Sequence, residues 1–150
     1  MSKAIVWLLA FLPLLQASAP GARVHYVGGT GVGLIQKSEV NIELTSDDDL
    51  VLTSKGASLH IPYASVNTVE YGQKVERRVA EAILISPILL FAKRREHFLT
   101  IGFVDLAGHQ QAMVFRVSSG DVRSLLVALE AKTGRKVEYQ DDEARRAGKG

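Results

Sequence analysis

The chain contains no cysteine. That excludes a disulfide framework, a thiolate metal site, a cysteine nucleophile and a cysteine-linked lipid anchor. A dominant charge of one sign is also missing: 18 basic residues face 16 acidic ones, a formal net charge of +2. Without Lys3, in the leading segment, the balance is 17 against 16. The electrostatic footprint of a nucleic-acid-binding protein is therefore absent, and no nucleic-acid partner is expected. Apolar runs long enough for an ordinary bilayer span, about 20 residues, are lacking too.

Catalytic constellations are equally scarce. His25, His60, His97 and His109 show neither His-x-x-x-His nor His-Glu-x-x-His spacing, so zinc and general-base roles find no support. No serine sits in a Gly-x-Ser-x-Gly context. The glycines between Gly28 and Gly33 lack the spacing of a dinucleotide fingerprint, and strand rather than helix is expected to follow, over Leu34 to Leu44. They read as a turn or a bent strand. Asp47, Asp48 and Asp49 are consecutive, whereas a calcium loop spreads its oxygen ligands and adds a distal glutamate. The sequence thus predicts no enzyme, no cofactor and no metal.

What is present fits one globular domain of 150 residues, 47% hydrophobic and 23% charged. The chain opens on Lys3, an apolar stretch from Ala4 to Leu15 and the small residues Ala17, Ser18 and Ala19. This is the layout of a secretory signal peptide over about residues 1–19, with a retained anchor as the alternative. Pro20-Gly21-Ala22 reads as a linker. Strands are expected at Val24–Val27, Val40–Leu44, Leu50–Thr53 and Ser58–Ile61, with an acidic turn at Asp47–Asp49 and a second turn at Lys55-Gly56. Val66 to Tyr71 follows, its inward set being Val66, Val69 and Tyr71. His97–Val104 and Ala112–Val117 form a further pair of strands around a turn at Asp105–His109.

The clearest helix closes the domain. Val122, Leu125, Leu126 and Leu129 fall at i, i+3, i+4 and i+7, with Ser118 as its cap and Gly134 at its C-terminal end. Such a stripe demands burial against a sheet. Lys136–Tyr139 is a short strand-like tail, and the polar residues 140–150 are expected to be disordered.

One segment departs from this pattern. Val79 to Ala92 is apolar apart from Glu81, Ser86 and Pro87. Arg77 and Arg78 precede it; Lys93, Arg94 and Arg95 follow. From Lys74 to Arg95, six basic residues minus two acidic ones give +4. As a helix the block would span about 21 Å, short of a hydrocarbon core of about 30 Å. Pro87 biases Ser86 away from helical geometry, so a kinked helix or two short ones is expected. Ile83, Leu84, Ile85, Ile88, Leu89, Leu90 and Phe91 cover most of a helix circumference, which calls for burial on more than one side. The block can pack within its own domain, insert into a membrane surface, or meet a partner.

The run Ile61-Pro62-Tyr63-Ala64-Ser65-Val66-Asn67-Thr68-Val69-Glu70-Tyr71-Gly72, the two strands after residue 96 and the final helix resemble pleckstrin-homology-like and GRAM-like domains. The Tyr-Gly-Gln segment, the Lys-Arg cluster before His-Phe-Leu-Thr-Ile and the ending Lys-Thr-Gly-Arg-Lys-Val-Glu-Tyr resemble small exported bacterial proteins of unassigned function. The resemblance covers about residues 32–139 and brings no catalytic residues. It implies a mainly β fold with one C-terminal helix, an orthogonal sandwich or partly open barrel over residues 22–139, carrying an apolar helical insert at 76–95 between two strand groups. Inositol-phosphate binding is not implied, because the hairpin at Asp47–Asp49 is acidic.

The functional expectation is a non-enzymatic, exported binding module, periplasmic or secreted. Its expected contact residues are Arg77, Arg78, Ile83, Leu84, Ile88, Leu89, Leu90, Phe91, Lys93, Arg94 and Arg95, acting at the envelope membrane surface or on a protein partner. The alternatives are a homo-oligomeric assembly protein and a carrier of a small apolar ligand.

Overall fold

A computed structural model describes residues 21–30, 33–73, 96–140 and 142–149. Among the described residues, eight strands form one open sheet in the order β4-β3-β2-β1-β7-β6-β5-β8. They are β1 (Gly21–Gly29), β2 (Glu39–Glu43), β3 (Asp49–Ser54), β4 (Ala57–Pro62), β5 (Val66–Gly72), β6 (His97–Val104), β7 (Gln110–Val117) and β8 (Glu138–Tyr139). All neighbours are antiparallel except β5 and β8. Helix α1 (Val122–Thr133) packs against β5 and the short 3-10 turn at Tyr63–Ser65.

Alternation builds the core. In β2, Val40 and Ile42 are buried between exposed Glu39, Asn41 and Glu43. In β3, Leu50 and Leu52 point the same way. These side chains join Tyr26, Tyr71, Leu99, Phe115 and the α1 stripe Val122, Leu125, Leu126 and Leu129 in one cluster. The stripe expected from 3.6-residue spacing is thus buried as a unit. β5 buries Val66, Val69 and Tyr71, which strict alternation cannot do. A bulge between Val66 and Thr68 supplies the extra residue that resets the register.

The turns follow local chemistry. Lys55 (φ 45°) and Gly56 (φ 84°) make a two-residue hairpin turn with both residues in the left-handed region, the geometry that matches strand twist. Ser46 accepts the backbone N–H groups of Asp48 and Asp49 at 3.3 and 3.1 Å, which folds the acidic tip back on itself. Lys132 then donates to the Ser46 carbonyl at 3.0 Å and pairs with Asp47 at 3.1 Å, tying that tip to the end of α1.

Four expectations need correction. Gly21 and Ala22 belong to β1 rather than to a linker, because they pair with Glu43 and Ile42. The strand expected over Leu34–Leu44 shrinks to Glu39–Glu43. Lys37 adopts φ 61° and the Ser38 hydroxyl donates to the Ile35 carbonyl at 2.6 Å, so the chain turns instead of extending. At the start of α1 it is the Ser118 carbonyl, not its hydroxyl, that receives the N–H groups of Asp121 and Val122, through an extra turn before the helix. Finally, the tail expected to be disordered contains a second helix, α2 (Asp142–Lys149). Its inward residues are small: Ala144 and Gly148 are buried and Ala147 is half-buried. Gly148 packs on Tyr139 and Leu126, and the two alanines join the core, without raising the hydropathy of the segment.

The β6–β7 turn carries a pH-dependent contact. Asp105 Oδ1 accepts the N–H groups of Ala107 and His109, each at 2.9 Å, and Oδ2 accepts Gln111 Nε2 at 2.8 Å. The His109 backbone bond leads the Gln111 bond in holding the Asp105 carboxyl below its ordinary value. A depressed folded-state pKa contributes stability that is present above the unfolded value, about 4, and is lost as pH falls through the folded one. Asp105→Ala should therefore lower Tm at pH 7, and the gap to the parent chain should close on acidification below about pH 4. Thermal melts at pH 7 and pH 2 check this; an equal gap at both would refute it.

Candidate functional site

The eleven residues expected to make contact, Arg77 to Arg95 as named above, lie outside the described residues, as does the leading segment 1–19. The points where the fold hands over to them are defined. Gly72 pairs with Phe98, Phe98 with Arg116, and Arg116 with His25, so one row crosses β5, β6, β7 and β1. Neighbouring strands are about 4.8 Å apart, which places His25 roughly 14 Å from Gly72 along that row. The chain leaves β5 just past the row at Gln73 and returns at Glu96. Running backwards from His25, β1 passes the row on the same side and reaches Gly21. The inverse directions of β1 and β7, β7 and β6, and β6 and β5 bring all three chain ends to one end of the sheet.

The root of the insert is built from packed aromatic rings, one buried and two half-buried. Tyr71 is fully buried and its hydroxyl hydrogen-bonds His97 Nδ1. The two rings stack at 5.9 Å and 7°, and Tyr139 meets Tyr71 edge-on at 6.1 Å and 81°. Burial raises the Tyr139 hydroxyl above its ordinary pKa, with the charge of Glu130 adding to it. Outside these rings, Glu96 pairs with Arg116 at 3.1 Å. Gln140 donates its backbone N–H to the Tyr71 carbonyl at 3.1 Å and its side-chain amide to Glu70 at 2.6 Å. Gly72 permits this, because a Cβ there would overlap the Gln140 side chain. α2 lies alongside: Glu143, Arg146 and Ala147 share a depression of about 510 Å³ with Gln73 and His97.

The other histidines are dispersed. His60 sits 3.6 Å from Asp49 and His109 3.7 Å from Asp105. Among the described residues no group of three or more His, Asp or Glu is gathered closely enough to hold a metal ion. The glycine at position 29 closes onto β7 instead of cradling an anion. An apolar groove of about 400 Å³ runs between β4 and the β6–β7 turn, lined by Leu59, Ile61, Phe103, Val104 and the fully exposed Leu106. It lies at the end of β6 away from His97, about 23 Å along the strand from the insert root. An insert acting as a lid over that groove would have to bridge this distance. Among the described residues no helix is long and apolar enough to cross a membrane.

Sequence reasoning passed over Tyr71, His97 and Tyr139 as a unit. The available signal was positional: Tyr71 and His97 flank the insert, two residues outside Gln73 and one outside Glu96. No family model matches the chain, and no curated protein matches it.

Proposed function

We propose that this chain is a non-enzymatic, exported binding module of pleckstrin-homology-like architecture, and that it acts through the apolar block 79–92 and its basic flanks at the surface of the envelope membrane. The observation that carries the reading is the shared end of the sheet. Both apolar stretches of the sequence, 4–15 and 79–92, leave the described fold there, at Gly21 and at Gln73 and Glu96. With 4–15 kept as an anchor, the alternative to its removal as a signal peptide, a single membrane surface receives both; with it removed, the insert alone makes the contact. The seven antiparallel strands in the order β4-β3-β2-β1-β7-β6-β5, followed by α1, support the architectural half of the reading.

The physical logic is that of an interfacial segment. Aliphatic side chains gain by entering the headgroup boundary, while flanking Arg and Lys meet anionic lipid at about 1 kcal/mol each. Burying the block in this way needs no hydrocarbon span. Flotation of the full chain with phosphatidylglycerol-containing and pure phosphatidylcholine vesicles tests the proposal. Preferential recovery with the anionic vesicles is expected, together with a loss of at least about tenfold on deleting residues 79–92. Absence of binding to either vesicle would overturn it.

A further inference from the structure

We infer that α2 is a second cationic contact of the same surface, and that its ligand is an anionic lipid headgroup layer. This rests on the membrane reading of the insert and extends it to a helix that the polar sequence of residues 140–150 concealed.

The helix divides into two faces. Ala144, Ala147 and Gly148 turn inward, and Glu143 is half-buried like Ala147. Asp142, Arg145, Arg146 and Lys149 are exposed and fall at i, i+3, i+4 and i+7, so they form one outward stripe. That stripe carries three cations and one carboxylate, a local balance of +2. It contains no apolar side chain, which makes it a poor docking face for a hydrophobic protein surface and a good one for a layer of negative charge.

Three contacts fix the stripe in place without burying its charge. The Lys149 ammonium stands 5.5 Å over the Tyr139 ring, Arg145 lies 3.8 Å from Asp142, and Arg146 Nε donates to the Asp142 carbonyl at 3.3 Å. The Arg145 and Asp142 side chains remain 61% and 85% exposed, so this pair leaves the guanidinium available to a second anion. Tyr139 is itself wedged against Tyr71, and a Cβ on Gly148 would come within 2.6 Å of its ring. The helix therefore sits at a fixed distance from the sheet.

Position selects the ligand. Arg146 borders the same depression as Gln73 and His97, the two ends of the insert root. Beyond that root the sequence runs to Lys74 on one side and to Glu96, which Arg116 pairs, and then Arg95 on the other. Arg146 thus stands beside the points where the chain departs for an apolar block with basic flanks in sequence, and cations around aliphatic side chains are the arrangement of a segment seated in anionic lipid.

Partition of the full chain and its variants between buffer and vesicles of phosphatidylcholine with or without phosphatidylglycerol tests the inference. Each exposed cation near such a surface is worth about fivefold in partition, so Arg145→Gln/Arg146→Gln/Lys149→Gln should lower binding to the anionic vesicles by at least about tenfold. Binding to pure phosphatidylcholine should not change. Asp142→Asn, which removes the one carboxylate of the stripe, should raise binding to the anionic vesicles with no change in Tm. If the triple variant binds anionic vesicles like the parent while deletion of residues 79–92 abolishes binding, the inference about α2 is wrong and the membrane reading stands. If the parent chain shows no preference for anionic vesicles, the inference fails. If it binds neither vesicle, both fail.

Discussion

Phe115→Ala should destabilise the fold by about 4 kcal/mol and lower Tm by roughly 10 °C or more. Phe115 is fully buried in β7, the strand that joins the two halves of the sheet. It stands opposite Tyr26 in β1 and Leu99 in β6, and its ring lies 5.6 Å from that of Tyr26 at 44°. Both edges of β7 are hydrogen-bonded to neighbours, so the backbone cannot close over the space left by the lost ring. The cost is then lost burial plus a persistent cavity, the upper part of the range for such truncations. Against a total stability of 5–15 kcal/mol typical of a domain, about 4 kcal/mol is a large share. Val127→Ala, at a position 60% exposed on α1, should change stability by less than about 0.5 kcal/mol. Urea titration checks both: the midpoint should fall for Phe115→Ala with an unchanged slope. A loss below about 1.5 kcal/mol would mean that β7 is not the packing centre.

The elements that carry this core were legible because their periodicity is local. His97–Val104 coincides with β6, and Val40, Ile42, Leu50 and Leu52 face inward as alternation requires. The α1 stripe was equally plain. The inward set of β5 could be read from residue type, although the bulge that allows it could not, since a bulge is a property of two strands. Lys37 shows the opposite failure. The stretch from Leu34 to Leu44 read as an extended chain, and a single residue at φ 61° with one serine hydroxyl bond overrode that. Such side-chain bonds to the backbone compete with strand formation at little cost.

The site was half legible. An apolar block with cationic flanks stands out in any reading of the sequence, and so does its place between two strands. Its neighbours do not. The pairing of His25 with Arg116 joins residues far apart in the chain, and only that pairing brings Gly21 to the end of the sheet where the insert begins. α2 was hidden for a different reason. Its inward face is alanine and glycine, so the apolar surface of the contact belongs to Tyr139 and Leu126 on other elements. Tyr71 and His97 were visible singly, but a ring stack across two strands has no sequence period.

The glycine run yields the second large effect, and it separates a packing role from a turn role. Gly29→Ala should cost about 3 kcal/mol. Gly29 pairs with Met113 just beyond the bulge between Tyr26 and Gly28, where β1 and β7 come unusually close. A Cβ on Gly29 would overlap the Ala112 carbonyl oxygen and lie 2.9 Å from both Met113 Cα and the Tyr26 hydroxyl. Two of those three obstacles are backbone, so relief requires shifting a paired strand instead of rotating a side chain. Thr30 depends on the same approach, since its backbone N–H donates to the Ala112 carbonyl at 2.9 Å and its hydroxyl accepts the Ala112 N–H at 3.0 Å. Gly33 is the internal contrast. It sits at φ 109° with no atom within 4 Å of a Cβ, so Gly33→Ala meets conformational strain alone, about 1–2 kcal/mol. Denaturation of the two variants side by side should therefore rank Gly33→Ala as the more stable. A Gly29→Ala chain as stable as its parent would show that β1 and β7 can separate there, and would remove the tight β1–β7 closure from the account of this fold.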